Sequence, residues 1–197
     1  LFRSLSSSVI LGTVAINEEQ VKTISSRAKG RIDELFVRNT GVYLQKGRPL
    51  YSIYSEQLQT DEKEYLSVLE KAKTTIPISK LTSDLLSAGK NKLTLWGLTE
   101  RQISELETSG KTNSLITFYS PEAGYVSKVN INEGMYVAEG SPLVKITSLN
   151  EVWVEAQLYP NEISGLEEIK TFQVFADSNP GEVYKGTLVY SNPVIEE

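Results

Sequence analysis

The two side chains that carry most soft-metal and acid–base chemistry are missing from this chain. Its 197 residues include no cysteine and no histidine. Without cysteine there is no disulfide, no thiolate nucleophile and no sulfur-ligated zinc. Without histidine the usual general base near neutral pH is gone. No run of about 18 apolar residues occurs, so nothing reads as a membrane-spanning helix. A basic excess is absent too: 20 Lys and Arg stand against 25 Asp and Glu, a net charge of −5. Lys90 and Lys92 form no patch, so nucleic acid is not an expected partner. No GxGxxG, P-loop or G-x-S-x-G string is present, and neither a cofactor nor a catalytic site is expected. The chain begins at Leu1 without a signal-like segment and is expected to be a processed product or a piece of a longer protein.

What is present is a repeat. Residues 24–54 and 118–147 say nearly the same thing twice. Gly30 matches Gly124, and Leu35 and Val37 match Val129 and Ile131. After one extra residue within Arg38–Thr40, Gly41, Tyr43, Gly47, Pro49, Leu50 and Ile53 match Gly134, Tyr136, Gly140, Pro142, Leu143 and Ile146. Two copies are too few for a solenoid. In each, apolar residues alternate with polar ones (Ile32, Leu35, Val37, then Tyr43, Leu50 and Ile53), the signature of strands with one buried face. Gly30, Gly41, Gly47, Gly124, Gly134 and Gly140 are expected at turns, because glycine takes positive φ without steric cost. Pro49 and Pro142 suit the first position of a strand. One half alone buries too little to be stable, so the two should pair.

Between the copies the period changes. Leu58, Tyr65, Leu66, Leu69 and Ala72 predict a helix from Ser55 to about Lys73, stopped by Thr74, Thr75 and Pro77. A second helix from about Ser79 is expected to pack through Leu81, Leu85, Ala88 and Leu95, with Gly89 a weak point and Gly97 its end. Leu98-Thr99-Glu-Arg-Gln102-Ile103 predicts a third, with a capping box and a hydrophobic staple, ending at Gly110. Outside the repeats, residues 1–8 are Ser-rich and expected to fray. Val9–Ile16 and Val152–Leu158 read as strands, the latter with Val152, Val154, Ala156 and Leu158 on one face. Pro160–Leu166 reads as a helical turn, and Phe172–Phe175 and Tyr184–Tyr190 as strands joined by an Asn179-Pro180-Gly181 turn. The acidic clusters Asp33-Glu34, Asp61-Glu62-Glu64 and Glu167-Glu168 read as solvated faces rather than catalytic pairs. Met135, the one thioether, sits at a turn position equivalent to Val42 and reads as packing. Trp96 and Trp153 read as core.

The half-motif resembles that of lipoyl and biotinyl domains, G-x-V followed by V-x-x-G-x-x-V-x-x-G-x-P-L-x-x-I. A long insertion between the halves resembles periplasmic adaptor (membrane fusion) proteins of bacterial tripartite efflux pumps. The string Leu93-x-Leu95-x-Gly97-Leu98-Thr-Glu-x-Gln-Ile103-x-x-Leu106-Glu-x-x-Gly110 is similar to the helical segment of their CusB-type branch. Asn150-x-Val152-Trp153-Val154-x-Ala156, then Pro180-Gly181-x-x-Tyr184-Lys185-Gly186-x-Leu188, resembles their β-barrel domain. The implied fold is mainly β with a helical insertion. Residues 24–55 and 117–148 would form a split lipoyl-like barrel-sandwich hybrid, and 56–116 an α-helical hairpin domain. Residues 8–23 and 149–197 would form a β-barrel domain, expected to be incomplete at its C-terminus.

The resemblance implies a non-enzymatic adaptor in the periplasm. It would bridge an inner-membrane RND transporter, of heavy-metal type, and a TolC-like outer-membrane channel, self-associate into a ring, and meet the membrane only through segments outside this chain. CusB-type relatives hold Cu(I) or Ag(I) through N-terminal methionines; no metal site is expected here. The turn farthest from the β-unit, Thr74, Thr75, Ile76, Pro77, Ile78, Ser79 and Lys80, is the candidate channel contact, since it carries two isoleucines. The arginine–leucine–serine signature of drug-type adaptors is not recognisable there. An adaptor for an ABC or drug-type exporter is the near alternative. A lipoyl or biotinyl carrier domain is the distant one, and it needs a lysine in a tight turn between the halves, whereas Lys63, Lys71 and Lys73 fall on a predicted helix.

Overall fold

A computed structural model describes residues 9–74, 80–157 and 171–189. It divides into two units, Ile16–Val152 and a second made of Leu1–Ala15 with Trp153–Glu197. The predicted fraying of 1–8, the turn at 160–166 and the residues 75–79 lie outside the described residues.

In the larger unit the first copy supplies β2 (Lys22–Ser25), β3 (Gly30–Leu35), β4 (Tyr43–Leu44) and β5 (Pro49–Tyr54); β1 (Gly12–Ile16) belongs mostly to the other unit. The second copy supplies β6 (Ile116–Tyr119), β7 (Gly124–Val129), β8 (Tyr136–Val137) and β9 (Pro142–Thr147). Two four-stranded antiparallel sheets result, ordered β2-β9-β7-β4 and β6-β5-β3-β8. Exchanging the two copies turns one order into the other. Each sheet therefore mixes strands from both halves, and neither half can form a sheet of its own. The correspondence reaches single hydrogen bonds. Gly41 N–H donates to Val126 O at 2.8 Å and Gly134 N–H to Ile32 O at 2.7 Å. Gly47 N–H donates to Ser120 O and Gly140 N–H to Ser26 O, both at 2.8 Å. A register shift falls between Ile32 and Glu34 in one sheet and between Val126 and Lys128 in the other.

Of the six glycines expected at turns, four are. Gly41, Gly47, Gly134 and Gly140 have φ of 80°, 79°, 82° and 81°. Gly30 and Gly124 are not turn residues; they open β3 and β7 without positive φ. A Cβ on Gly30 would stand 2.2 Å from Tyr54 O, and one on Gly124 2.9 Å from Thr147 O. Close approach of a neighbouring backbone, not φ, requires glycine there.

Ile32, Leu35, Val37, Leu50 and Ile53 are buried, as are Val126, Ile131, Leu143 and Ile146. Tyr43 and Tyr136 are exposed instead, and their neighbours Leu44 and Val137 point inward. Each sits in a two-residue strand where a one-position offset exchanges the faces.

The insertion is α1 (Glu56–Thr74), α2 (Lys80–Leu95) and α3 (Glu100–Ser109). Ile53 of β5 pairs with Ile116 of β6, so the helices leave and re-enter the unit at one point of one sheet. Leu58, Tyr65, Leu93, Leu98, Ile103 and Leu106 join the β-unit residues in one continuous core.

In the second unit β1 pairs with β10 (Val152–Ala156), and β11 (Thr171–Ala176) with β12 (Asn179–Thr187). A Cβ on Gly12 would stand 2.7 Å from Val154 Cγ1. In β10 the expected face is reversed, with Val152 and Val154 exposed and Trp153 half-buried. The turn between β11 and β12 is Asp177-Ser178, and Asn179-Pro180-Gly181 lies within β12. The register shift between Phe175 and Ala176 takes up the extra residues on that strand, and a bulge tolerates a proline without N–H.

Candidate functional site

The helical insertion is the one large departure from the paired β-halves, and polar contacts at its base hold it to them. Asp61, buried on α1, accepts Trp96 Nε1–H at 2.6 Å and Gln57 Nε2–H at 3.0 Å, and pairs with Lys92 Nζ at 2.8 Å. The hydrogen bond to Asp61 raises the Lys92 ammonium above its ordinary value. Next to it, buried Glu62 accepts Asn113 N–H at 3.0 Å, tying α1 to the segment that returns to β6. Burial pushes the Glu62 carboxyl up, partly opposed by that bond. The expectation of a solvated acidic face therefore fails at Asp61 and Glu62: both are structural acceptors inside the helical base. Asp33 does lie at the surface, held below the usual carboxylate range by Arg31.

Farther along, the Tyr65 ring packs over Gly89, where a Cβ would stand 2.8 Å from the ring, and Tyr65 O–H donates to Glu107 at 2.5 Å. Burial and the Glu107 carboxylate hold that phenol up. Gly89 is thus a site of close approach between α1 and α2 rather than a weak point. Thr99 and Gln102 form the expected capping box, and Gln102 Nε2–H reaches Thr117 O of β6 at 2.9 Å. Gly110, with φ of 64°, closes α3.

The buried side of α2 differs from the expected one. Leu93 is buried, Leu86 and Trp96 pack on the core, and Leu81, Leu85, Ala88 and Leu95 face solvent. Of the expected channel contact, Thr74 ends α1 and Lys80 begins α2, both exposed; Thr75, Ile76, Pro77, Ile78 and Ser79 lie outside the described residues. Lys63, Lys71 and Lys73 lie on α1, and the join between β5 and β6 is the helical insertion, unlike the lysine-bearing turn of a carrier domain. Met135 is not packed as expected; it is about as exposed as Val42. Among the described residues no cluster of three acidic side chains has the geometry to hold a metal ion. No helix among them is long and apolar enough to cross a membrane. A cleft of about 500 Å³ opens between α2 and the β-unit, bordered by Arg27, Lys92, Leu95, Trp96 and Glu139, with no nucleophile–base pair in it.

A family model described as "CusB, barrel-sandwich hybrid domain" matches residues 21–147, which span both sheets and the insertion. The chain belongs to the CusB barrel-sandwich hybrid family. The cation efflux system protein CusB of Escherichia coli (strain K12) is 29% identical over 180 residues, covering 89% of this chain and 42% of the relative. The putative membrane fusion protein SilB of Salmonella typhimurium is 20% identical over 178 residues, covering 90% of this chain and 40% of SilB. The chain thus spans less than half the length of these relatives. The crystal structure of ZneB from Cupriavidus metallidurans superposes with a TM-score of 0.52 at 14% identity, covering 94% of this chain and 83% of ZneB. That likeness shows the shared fold: a mainly β chain whose barrel-sandwich hybrid is interrupted by helices.

Proposed function

We propose that this chain is the body of a periplasmic adaptor of a tripartite heavy-metal efflux system, linking an inner-membrane RND transporter to a TolC-like outer-membrane channel. The observation that carries this is the helical insertion between β5 and β6 of a barrel-sandwich hybrid whose family is that of CusB, a cation efflux protein. Its role is geometric. α1 spans 19 residues, roughly 28 Å at about 1.5 Å per residue. The Thr74–Lys80 connection contacts the channel, copies associate in a ring, and the strands of the smaller unit belong to a barrel domain facing the transporter. The work is interface formation, with no bond-making step assigned to the chain.

The test is retention of detergent-solubilised channel and transporter from the same genome on the immobilised chain. Wild type should retain both. Ile76→Asp with Ile78→Asp should lose the channel, keep the transporter and leave the melting temperature unchanged. Retention of neither partner by wild type would overturn the adaptor reading. A large drop in melting temperature for the double variant would overturn the assignment of the contact.

A further inference from the structure

Because the two halves are equivalent, each outward position on one sheet has a counterpart on the other. On the β6-β5-β3-β8 sheet, Thr117, Ser52 and Glu34 form a cross-strand row on the face turned away from the core. That row is satisfied from within. Ser52 Oγ–H donates to Glu34 Oε2 at 3.3 Å, and Ser52 Oγ lies 3.0 Å from Thr117 Oγ1. Gln102 of α3 covers its end by donating to Thr117 O at 2.9 Å. The counterparts on the β2-β9-β7-β4 sheet are Thr23, Lys145 and Lys128, in the same cross-strand register. Here two lysines stand directly opposite each other, with Cβ atoms about 5 Å apart, an arrangement that repels. Among the described residues neither ammonium has an ion-pair or hydrogen-bond partner. In a chain of net charge −5 this is a local reversal of sign. Farther along the same face, Tyr125 is the neighbour of Tyr43, and the two exposed rings meet edge to face with centroids 5.1 Å apart.

We infer that this face binds an acidic saccharide of the uronic-acid class, its carboxylate between Lys128 and Lys145 and its sugar ring on Tyr43 and Tyr125. The lysine pair calls for an anion, and a carboxylate offers one oxygen to each ammonium. The tyrosine pair lies about 7 Å along the strands and calls for a flat, partly apolar body. The C–H face of a sugar ring suits it, because that face is weakly positive and the aromatic face is negative. The phenol hydroxyls and the exposed Thr23 hydroxyl are donors and acceptors for sugar hydroxyls. A bare anion would leave the tyrosines unused. An extended acidic peptide needs an unpaired strand edge, whereas Lys145 and Lys128 lie on β9 and β7, the two interior strands of the sheet.

The full 197-residue chain, titrated under heteronuclear NMR with trigalacturonate, maltotriose and triglutamate, tests this. Trigalacturonate should shift the signals of Tyr43, Tyr125, Lys128 and Lys145, and the other two should leave them in place. Lys128→Gln with Lys145→Gln should weaken binding about tenfold or more, at a melting temperature equal to or above wild type because the repulsion is gone. Tyr43→Ala should weaken it as well. The charge-matched Lys46→Gln with Lys111→Gln, at two exposed positions elsewhere, should bind as wild type does. Triglutamate binding as tightly as trigalacturonate would reduce the face to a charge patch and overturn the saccharide. Equal binding of neutral maltotriose would overturn the part given to the lysines. Shifts of the same signals on concentrating the chain alone would mean that a second copy covers the face. That result, or trigalacturonate binding that survives the Lys128 and Lys145 substitutions, would overturn the site.

Discussion

Gly30 and Gly41 separate two reasons for glycine. At Gly41 the φ of 80° is the constraint and the space is open, so Gly41→Ala should cost about 1–2 kcal/mol. At Gly30 the constraint is a carbonyl 2.2 Å from the missing Cβ, and relief means parting β3 from β5. Gly30→Ala should cost more than about 3 kcal/mol, and chemical denaturation of the two variants should rank them in that order. Glu62 offers a pH test. Its carboxyl is raised in the folded chain, so the neutral form suits the native site. That contribution is present in full below the unfolded value near about 4.3 and is lost as pH rises through the raised value. Glu62→Gln keeps an acceptor for Asn113 N–H and removes the buried charge. Its melting temperature should match wild type near pH 4, rise above it as pH passes through the raised value and keep that lead at higher pH, by about 2–4 °C per kcal/mol. A gap that shrinks as pH rises would contradict the assignment.

At the scale of elements, the insertion and the β-unit are separable in connection but not in core. β5 and β6 are antiparallel neighbours paired at Ile53 and Ile116, so replacing 56–113 by an Asn-Gly turn keeps that register and closes an ordinary hairpin. The shortened chain should remain folded and melt cooperatively, since both sheets keep every strand. It should also be less stable than the parent, because Leu58, Leu98, Ile103 and Leu106 no longer cover the shared core. Scanning calorimetry checks both points, and an unfolded product would mean the sheets depend on the helices. Leu93 bears on the same interface: fully buried, Leu93→Ala should cost about 2–5 kcal/mol, whereas Leu95→Ala, at 79% exposure, should cost under about 0.5 kcal/mol.

At the scale of the whole molecule, the sequence carries few ligands for soft cations. With no histidine, no cysteine and an exposed single methionine, titration with Ag(I) should give only weak heats by calorimetry. A stoichiometric site of submicromolar affinity would refute this.

The matching glycines and prolines were enough, by sequence alone, to determine that two halves exist, that they are equivalent and that helices part them. Turn geometry and strand starts are local, and local chemistry is written residue by residue. The Thr99 and Gln102 cap was readable for the same reason. Which side of an element faces inward was another matter. Tyr43 and Leu44, or the two neighbouring faces of α2 (Leu81, Leu85 and Leu95 against Leu86, Leu93 and Trp96), are nearly equal in apolar content and spacing, so periodicity cannot choose between them. The choice belongs to contacts made from far along the chain. Gly124 of the second copy pairs with Leu44, and Tyr65 fits only where Gly89 leaves room. The same holds for Asp61 and Glu62, charged residues that acceptor roles draw into the interior once Trp96, Lys92 and Asn113 are brought to them by the fold.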